Sequence, residues 1–531
     1  MDYVDRKLGF FSRNVIISLS IIGIIGFFFR LSYFTYEIPV TLDSLYYFVY
    51  ATDISILGHF PNYTLANNGW PIFLSFFFSL LHSYKLLDYM AIQRLITISI
   101  SVLTIIPVYM LCSNFSRKYA ILGAAIFAFE PRIVQNSTYG LADPLYIILG
   151  AITLVLFLSS SKKFVYLSFA VAALSAMVRS EGLVLFLPLS VVFLIRFKKE
   201  KRVILKYAFA ATIFILVLLP MIYYKTEVNS LTVNPLKPAP GDQLFKRIYD
   251  AVEQTLTASS REKGGPSFFN YMFESFVNLV KYLGWTLIPI FVIFTPLGGF
   301  LIFKNRDYKK MTIILATIFM LIPALYALTV AADTRYFYFL YPMFCVMSLF
   351  TVERIDNKIK KSNIILAFLI GGILFGSYLF LDYKMDIQHE KDTFSIAKRV
   401  NGTITAINPY PPEDRYYMVA GIPDRHNFRE TYDPKNNLGI LDAFSSFPLG
   451  QPKFIPIDKA KTLEEYIENG RKQGLTHLVL DGKKSRLYFF NNVFYNEDKY
   501  PYLIKIFDSW DYGYKYHVKI YKIDYERFDR K

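Results

Sequence analysis

The sequence predicts a polytopic α-helical membrane protein of about eleven transmembrane helices, followed by a C-terminal extracytoplasmic α/β domain. Three observations predict it. Hydrophobic residues make up 54% of the 531 positions and charged residues only 19%, against about 25% charged in a soluble domain. Apolar runs such as Val15–Phe34, Val203–Tyr224, Met311–Ala331 and Ile364–Leu381 recur along the chain, each near the ~20 residues that cross a hydrocarbon core of about 30 Å. Between the runs stand short basic clusters: Arg6, Lys7 and Arg13; Arg117 and Lys118; Lys162 and Lys163; Arg196 to Lys206; Lys304 to Lys310; and Arg354 to Lys361.

That spacing is the positive-inside pattern, which places those loops in the cytoplasm. It also accounts for the formal charge of +16 without nucleic acid, which would need one basic face. The first run has no small-residue cleavage site after it, so it reads as a retained helix with a cytoplasmic N-terminus. Between it and Arg117 lie two apolar candidates, Trp70–Leu81 and Tyr89–Leu111. If both crossed, every later basic loop would face outward. The shorter one therefore reads as a helix lying in the outer interface or re-entering it.

The resulting spans are 13–34, 89–112, 118–135, 138–158, 164–179, 182–197, 203–224, 277–303, 310–331, 334–352 and 362–382. Residues 1–382 form the membrane domain, with external loops over 35–88 and 225–275. Residues 383–531 emerge outside with strand and helix patterns at Tyr416–Ala420, Leu463–Gln473, Thr476–Leu480 and a hairpin over Tyr502–Ile523. Cys112 and Cys345 lie in apolar runs and read as packing residues.

Parity gathers the remaining charges at one depth near the outer leaflet. They are Arg94, Glu130, Arg132, Asp143, Arg179, Glu181, Asp333 and Arg335, with Asp43 and Asp53 in the first loop. Ionisable groups at membrane depth are costly and face a cavity or one another. For any one of them a structural ion pair is as good a reading as a site; their convergence favours a site. Arginines at the lipid boundary can hold a phosphate bidentately, and a carboxylate above them can take a proton from a hydroxyl. The fitting reaction is attack by an acceptor on the anomeric carbon of a lipid-linked sugar phosphate, in one inverting displacement. Other lipid-phosphate chemistries fit these groups as well.

Several segments carry a resemblance. They are Leu42-Asp43-Ser44-Leu45-Tyr46-Tyr47 in the first loop, Asn68-Gly69-Trp70-Pro71, Gln93-Arg94-Leu95, Gly140 to Leu145, Val178-Arg179-Ser180-Glu181-Gly182, and Asp333-Thr334-Arg335-Tyr336 with Pro342. In order and spacing, residues 1–350 resemble the GT-C superfamily of membrane glycosyltransferases, in particular its protein mannosyltransferase and aminoarabinose transferase-like branch. The resemblance implies a polyprenyl- or dolichyl-phosphate sugar donor, a protein or lipid-linked glycan as acceptor, and a catalytic acid in the first loop. Carried onto this chain, that acid is Asp43. Many relatives have two adjacent acids there and this chain has Asp43-Ser44, so Glu37 and Asp53 stand as alternative partners or bases. Arg94 and Arg335 are the candidates for the donor phosphate, with Asp143, Arg179 and Glu181 second in rank.

Ser509-Trp510-Asp511-Tyr512-Gly513 resembles the Trp-Trp-Asp-Tyr-Gly motif of the oligosaccharyltransferase catalytic subunit. It lies far later in the chain, lacks the first Trp, and reads as a hairpin turn. No Gly-rich phosphate loop or paired metal-ligand cluster is present; a divalent cation between Asp43 and Asp143 is the one metal arrangement left open. The sequons at Asn62, Asn136 and Asn401 fall in external segments, and His59 and His82 read as packing or interface residues. An oligosaccharyltransferase-like enzyme, a lipid or glycan transporter and a non-catalytic binding homologue are the rival readings. Metal dependence with transfer of a whole glycan marks the first. Midplane polar groups and repeat-related broken helices mark the second, and neither is visible here.

Overall fold

The computed structural model describes residues 12–41, 43–61, 65, 67–83, 85–231, 268–289, 291–304, 307–330, 333–359, 362–401, 403–404, 406–408, 453–455, 460–482 and 487–531. The strand expected at Tyr416–Ala420, most of the 225–275 loop and the Asn62 sequon lie outside them. The chain forms two compact units. One takes in the chain up to Phe34, Leu57–Phe77 and Ile92–Lys384; the other takes in Thr35–Ile56, Phe78–Ala91 and the chain from Met385 onward.

The first unit is helical: α1 (Arg13–Leu31), then, after α2 (Asp43–Leu57), α3 (Gly69–Leu80), α4 (Leu86–Leu103), α5 (Ile105–Ser113), α6 (Ala120–Phe129), α7 (Pro131–Ser137), α8 (Asp143–Leu158), α9 (Lys162–Val178), α10 (Phe186–Phe197), α11 (Val203–Leu231), α12 (Phe268–Leu287), α13 (Phe291–Lys304), α14 (Tyr308–Val330), α15 (Tyr341–Ile359) and α16 (Ser362–Lys384). Helix occupies all eleven apolar stretches read from the sequence. Among the described residues, seven helical stretches are long and apolar enough to cross a membrane, eight if α12 and α13 count as one bent span. The stretch expected as one straight span over 277–303 is this pair, bent by 111°. Helix α3, at 12 residues, is too short to cross a bilayer.

The span expected over 118–135 is broken in its middle, and the cause is local. Pro131 has no N–H to continue the ladder and disfavours helical geometry in the residue before it. Glu130 accordingly sits at ψ 118°, between α6 and α7. The break leaves the last carbonyls of α6 without helical donors, and an apolar environment offers no water to satisfy them. Other helices supply the donors. Arg30 of α1 donates from Nη1 to the Ala128 carbonyl at 2.8 Å, and Ser377 of α16 donates to the Phe129 carbonyl. The Arg30 side chain is wholly buried and spends its other donors on the Gly26 carbonyl (2.9 Å) and Ser101 Oγ (3.1 and 3.3 Å). A cation at a helix C-terminus also opposes the negative end of the helix dipole.

The second unit holds α2, the facing ends of α3 and α4, and the C-terminal region. Phe48 of α2 meets Phe78, which meets Tyr89, with ring centroids 5.8 and 5.4 Å apart. Among the described residues the C-terminal region comprises α17 (Ile387–Val400), α18 (Leu463–Arg471), α19 (Tyr488–Tyr495), α20 (Tyr525–Asp529) and five strands: β1 (Ala406–Ile407), β2 (Lys453–Phe454), β3 (His477–Asp481), β4 (Leu503–Asp508) and β5 (Val518–Ile523). The sheet order is β2-β1-β3-β5-β4, parallel at β2-β1-β3 and antiparallel at β3-β5-β4. The expected helix at 463, strand at 476 and hairpin from 502 are therefore α18, β3 and β4–β5. Thr462 caps α18, accepting from the Glu465 amide at 3.2 Å. Apolar faces of α18 (Leu463, Tyr466, Ile467) and α19 (Phe490, Val493, Phe494) pack with Leu478, Leu480 and Tyr521 of the sheet.

Two predictions follow from these contacts. Arg30→Met leaves a buried carbonyl unmet at a cost of about 1–3 kcal/mol, so the full-length protein in detergent should melt a few degrees lower; an unchanged melting temperature refutes the capping role. In the C-terminal region, burial disfavours the charged form of Glu497, yet bonds from Tyr521 (2.7 Å) and Lys505 (2.9 Å) and the charge of Lys519 hold its carboxyl down to about 2. Its folded pKa is depressed below the unfolded ~4.3. The stabilisation is therefore complete above pH ~4.3 and lost as pH falls through the folded value. Amide exchange in β4 and β5, corrected for intrinsic rates, should accelerate across that window in the full-length protein, and less steeply in Glu497→Gln.

Candidate active site

Three turns of the first unit carry the charges. Asp143 opens α8, followed by a proline suited to a first helical turn, and an acid there is favoured by the helix dipole. Helix α9 ends where Arg179 turns extended (φ −143°, ψ 130°), and Ser180–Leu185 form a 3₁₀ turn into α10. Asp333 caps a second 3₁₀ segment, Thr334–Leu340, by accepting from the Arg335 amide at 2.9 Å.

Arg179 joins the first two turns. Its Nη1 donates to Asp143 Oδ1 at 2.5 Å, and its other edge grips Glu181, with Nη2–Oε1 at 2.8 Å and Nε–Oε2 at 3.4 Å. The side chains of Asp143, Arg179 and Glu181 are only 3%, 11% and 19% exposed. Asn136 donates to the second Asp143 oxygen at 3.3 Å. The guanidinium lies 5.4 Å from the Tyr336 ring centre, which brings in the third turn. There Arg335 pairs with Asp333 at 2.5 Å and lies within electrostatic reach of Glu181.

The Asn67–Trp70 segment locks onto these turns. Asn67 Oδ1 accepts from the Ser180 amide at 3.1 Å. A Cβ on Gly69 would stand 2.7 Å from the Met177 carbonyl oxygen, so only glycine permits this approach. Trp70 Nε1 and Gln93 Nε2 both donate to the Gly140 carbonyl, at 3.2 and 2.7 Å. Arg94, the residue after Gln93, is 7% exposed, and one turn on Thr97 donates to the Ser137 carbonyl at 2.6 Å. Glu130 and Arg132 form a separate pair 3.9 Å apart, with Arg132 also donating to the Ile288 carbonyl.

The remaining candidates belong to the second unit. Asp43 is the first residue of α2 and is exposed. Asp53 is buried in the same helix, ten residues and hence about 15 Å further along its axis, too far to share a proton with Asp43. Glu37 pairs with Lys391 at 2.6 Å. Among the described residues no group of three or more His, Cys, Asp or Glu side chains is placed to hold a metal ion. Sequence reasoning passed over Arg30 and Asn67, and gave Asn136 and Tyr336 no contact with Arg179 or Asp143. An arginine closing an apolar run was a readable signal for Arg30; the others carry none without the fold.

Helical spans joined by charged turns, with a mixed α/β region at the C-terminal end, make a fold that the chain shares with solved structures over most of its length. It is similar to ArnT from Cupriavidus metallidurans bound to undecaprenyl phosphate, with a TM-score of 0.51 and 10% identity over 96% of this chain and 98% of that one. Apo ArnT from the same organism gives 0.50 and 11% over 96% and 97%. The oligosaccharyltransferase AglB from Archaeoglobus fulgidus, in complex with an inhibitory peptide and a dolichol-phosphate, gives 0.51 and 12% over 93% and 73%. At such identities the likeness is one of fold. No family model and no curated protein matches the sequence.

The ion cluster makes a prediction about stability. Arg179→Met strands two buried carboxylates and should destabilise the protein by about 3–5 kcal/mol. Adding Asp143→Asn and Glu181→Gln should recover most of that loss, as read by thermal unfolding in one detergent. A triple variant no more stable than the single one refutes the pairing account.

Proposed function

We propose that the protein is a membrane glycosyltransferase that moves a sugar from a polyprenyl- or dolichyl-phosphate donor to an acceptor on the extracytoplasmic face, with inversion. The observation that carries this reading is a fold shared over nearly the whole length with a protein whose structure holds undecaprenyl phosphate. In this reading the N-terminus is cytoplasmic and the C-terminal domain, residues 383–531, lies outside.

The chemistry assigns roles as follows. Asp43, exposed at the start of α2, accepts the proton of the acceptor hydroxyl. The oxygen attacks the anomeric carbon as the bond to the phosphate oxygen breaks, and the electron pair stays with the phosphate. The leaving phosphate gains one negative charge, which Arg335 and Arg94 stabilise. Arg335 suits this role because it is 28% exposed and its partner Asp333 is 32% exposed, so a phosphate can compete for it. Arg179 holds two carboxylates, so it fixes the turns rather than binding an anion. An apolar groove of 590 Å³ between α1 and α16, lined by residues such as Ile24, Phe28, Leu374 and Phe375, suits a hydrocarbon chain of a membrane lipid.

A second reading, transfer of a preassembled glycan to asparagine, is favoured by the likeness to AglB. One assay tests both, using purified protein in nanodiscs with labelled polyprenyl-phosphate monosaccharides or lipid-linked oligosaccharides. Transfer is expected from the monosaccharide donors, with Asp43→Asn lowering kcat about 10²–10⁴-fold. Transfer only from the oligosaccharide donor moves the protein to the second reading, and undiminished transfer by Asp43→Asn removes that residue as the base.

A further inference from the structure

The β4–β5 turn in the second unit is built more rigidly than a hairpin requires, and it holds an indole out to solvent. Buried Ser509 accepts from the Val518 amide at 2.8 Å and donates to the Tyr516 carbonyl at 2.6 Å. Asp508 Oδ1 accepts from the Trp510 amide at 3.1 Å, and Gly513 closes the turn at φ 78°, a conformation that glycine adopts without strain. Asp392 of α17 accepts from the Lys515 and Tyr516 amides at 2.8 and 3.0 Å, tying the turn to its neighbour.

On this frame Trp510 lies flat against His517, with ring centroids 3.7 Å apart and planes 13° from parallel, and His517 is held by Asp508 at 2.9 Å. With one face so covered, the indole is still 63% exposed, so its other face is turned to solvent. Beside it in the turn, Tyr512 is stacked on Phe507 (5.2 Å, 11°) under the Arg399 guanidinium, 3.7 Å from the ring centre. Asp511 is exposed, and Lys505 lies 3.8 Å from Asp508. The result is one immobilised π surface rimmed by hydrogen-bonding groups of both signs.

We propose that Trp510 is the platform of a saccharide-binding site in the soluble unit. A pyranose has a face of C–H bonds, which a ring's negative π face attracts, and an edge of hydroxyls, which carboxylates and cationic donors meet. A lipid-anchoring tryptophan would instead favour apolar and basic neighbours over Asp508 and Asp511. The proposal is independent of the transferase reading, because it is read by binding and needs no turnover.

The test is saturation-transfer NMR on the full-length protein in nanodiscs, with mannotriose, chitotriose and maltotriose as probes. At least one trisaccharide should receive saturation from the wild type. Trp510→Ala should weaken that binding about tenfold or more, while Trp510→Phe, which keeps a flat ring, retains most of it. Amide exchange in β4 and β5 confirms that each variant is folded. Absence of transfer from all three sugars overturns the proposal, as does equal binding by Trp510→Ala. Quenching of Trp510 fluorescence by brominated lipids in the nanodisc overturns it in favour of a membrane contact.

Discussion

Backbone satisfaction in an apolar medium is the constraint on which the helical unit depends. A chain that breaks a helix away from water must find a donor for every carbonyl it frees. Here the break is imposed by Pro131, and the donors come from α1 and α16, through Arg30 and Ser377. Two residues 347 positions apart in sequence thus close one local defect. The same logic explains why so many buried hydroxyls bond to carbonyls one turn back within their own helices, as Ser190 does to Phe186 and Thr153 to Leu149.

Charge is handled by the same economy. Arg179 lies between two carboxylates, and its planar fork lets one side chain serve both. A lysine in its place would offer a single point charge and lose the paired bonds to Glu181. The cluster draws together the turns at 143, 179 and 335, while Asn67 and Gly69 fasten the entry to α3 onto the same place.

Much of this was legible in the sequence. The apolar runs marked the long helices of the first unit, because the length of a run and its lack of charge are local properties; α2 lay in a stretch read as external loop. Positive loops marked the connections, and alternation with turn residues marked the β4–β5 hairpin. The break at Pro131 and the bend between α12 and α13 were missed because an apolar run looks the same whether its helix is straight or not. The pairing of Arg179 with both Asp143 and Glu181 was half visible: Glu181 is two residues away, whereas Asp143 reaches it only through the packing of α8 on α9. Asp53 looked like a partner for Asp43 until the helix between them set their separation.

The contact of Gly69 with the backbone at Met177 and Val178 has an evolutionary side. Since backbone meets backbone there, no side-chain adjustment elsewhere can relieve a bulkier residue at position 69, and the two segments, more than a hundred positions apart in sequence, are bound to diversify as a pair. Exchanging the 57–77 segment between distant homologues would carry its fit to the 177–180 turn along with it, and recombinants that split the two would inherit a misfit at the charged cluster.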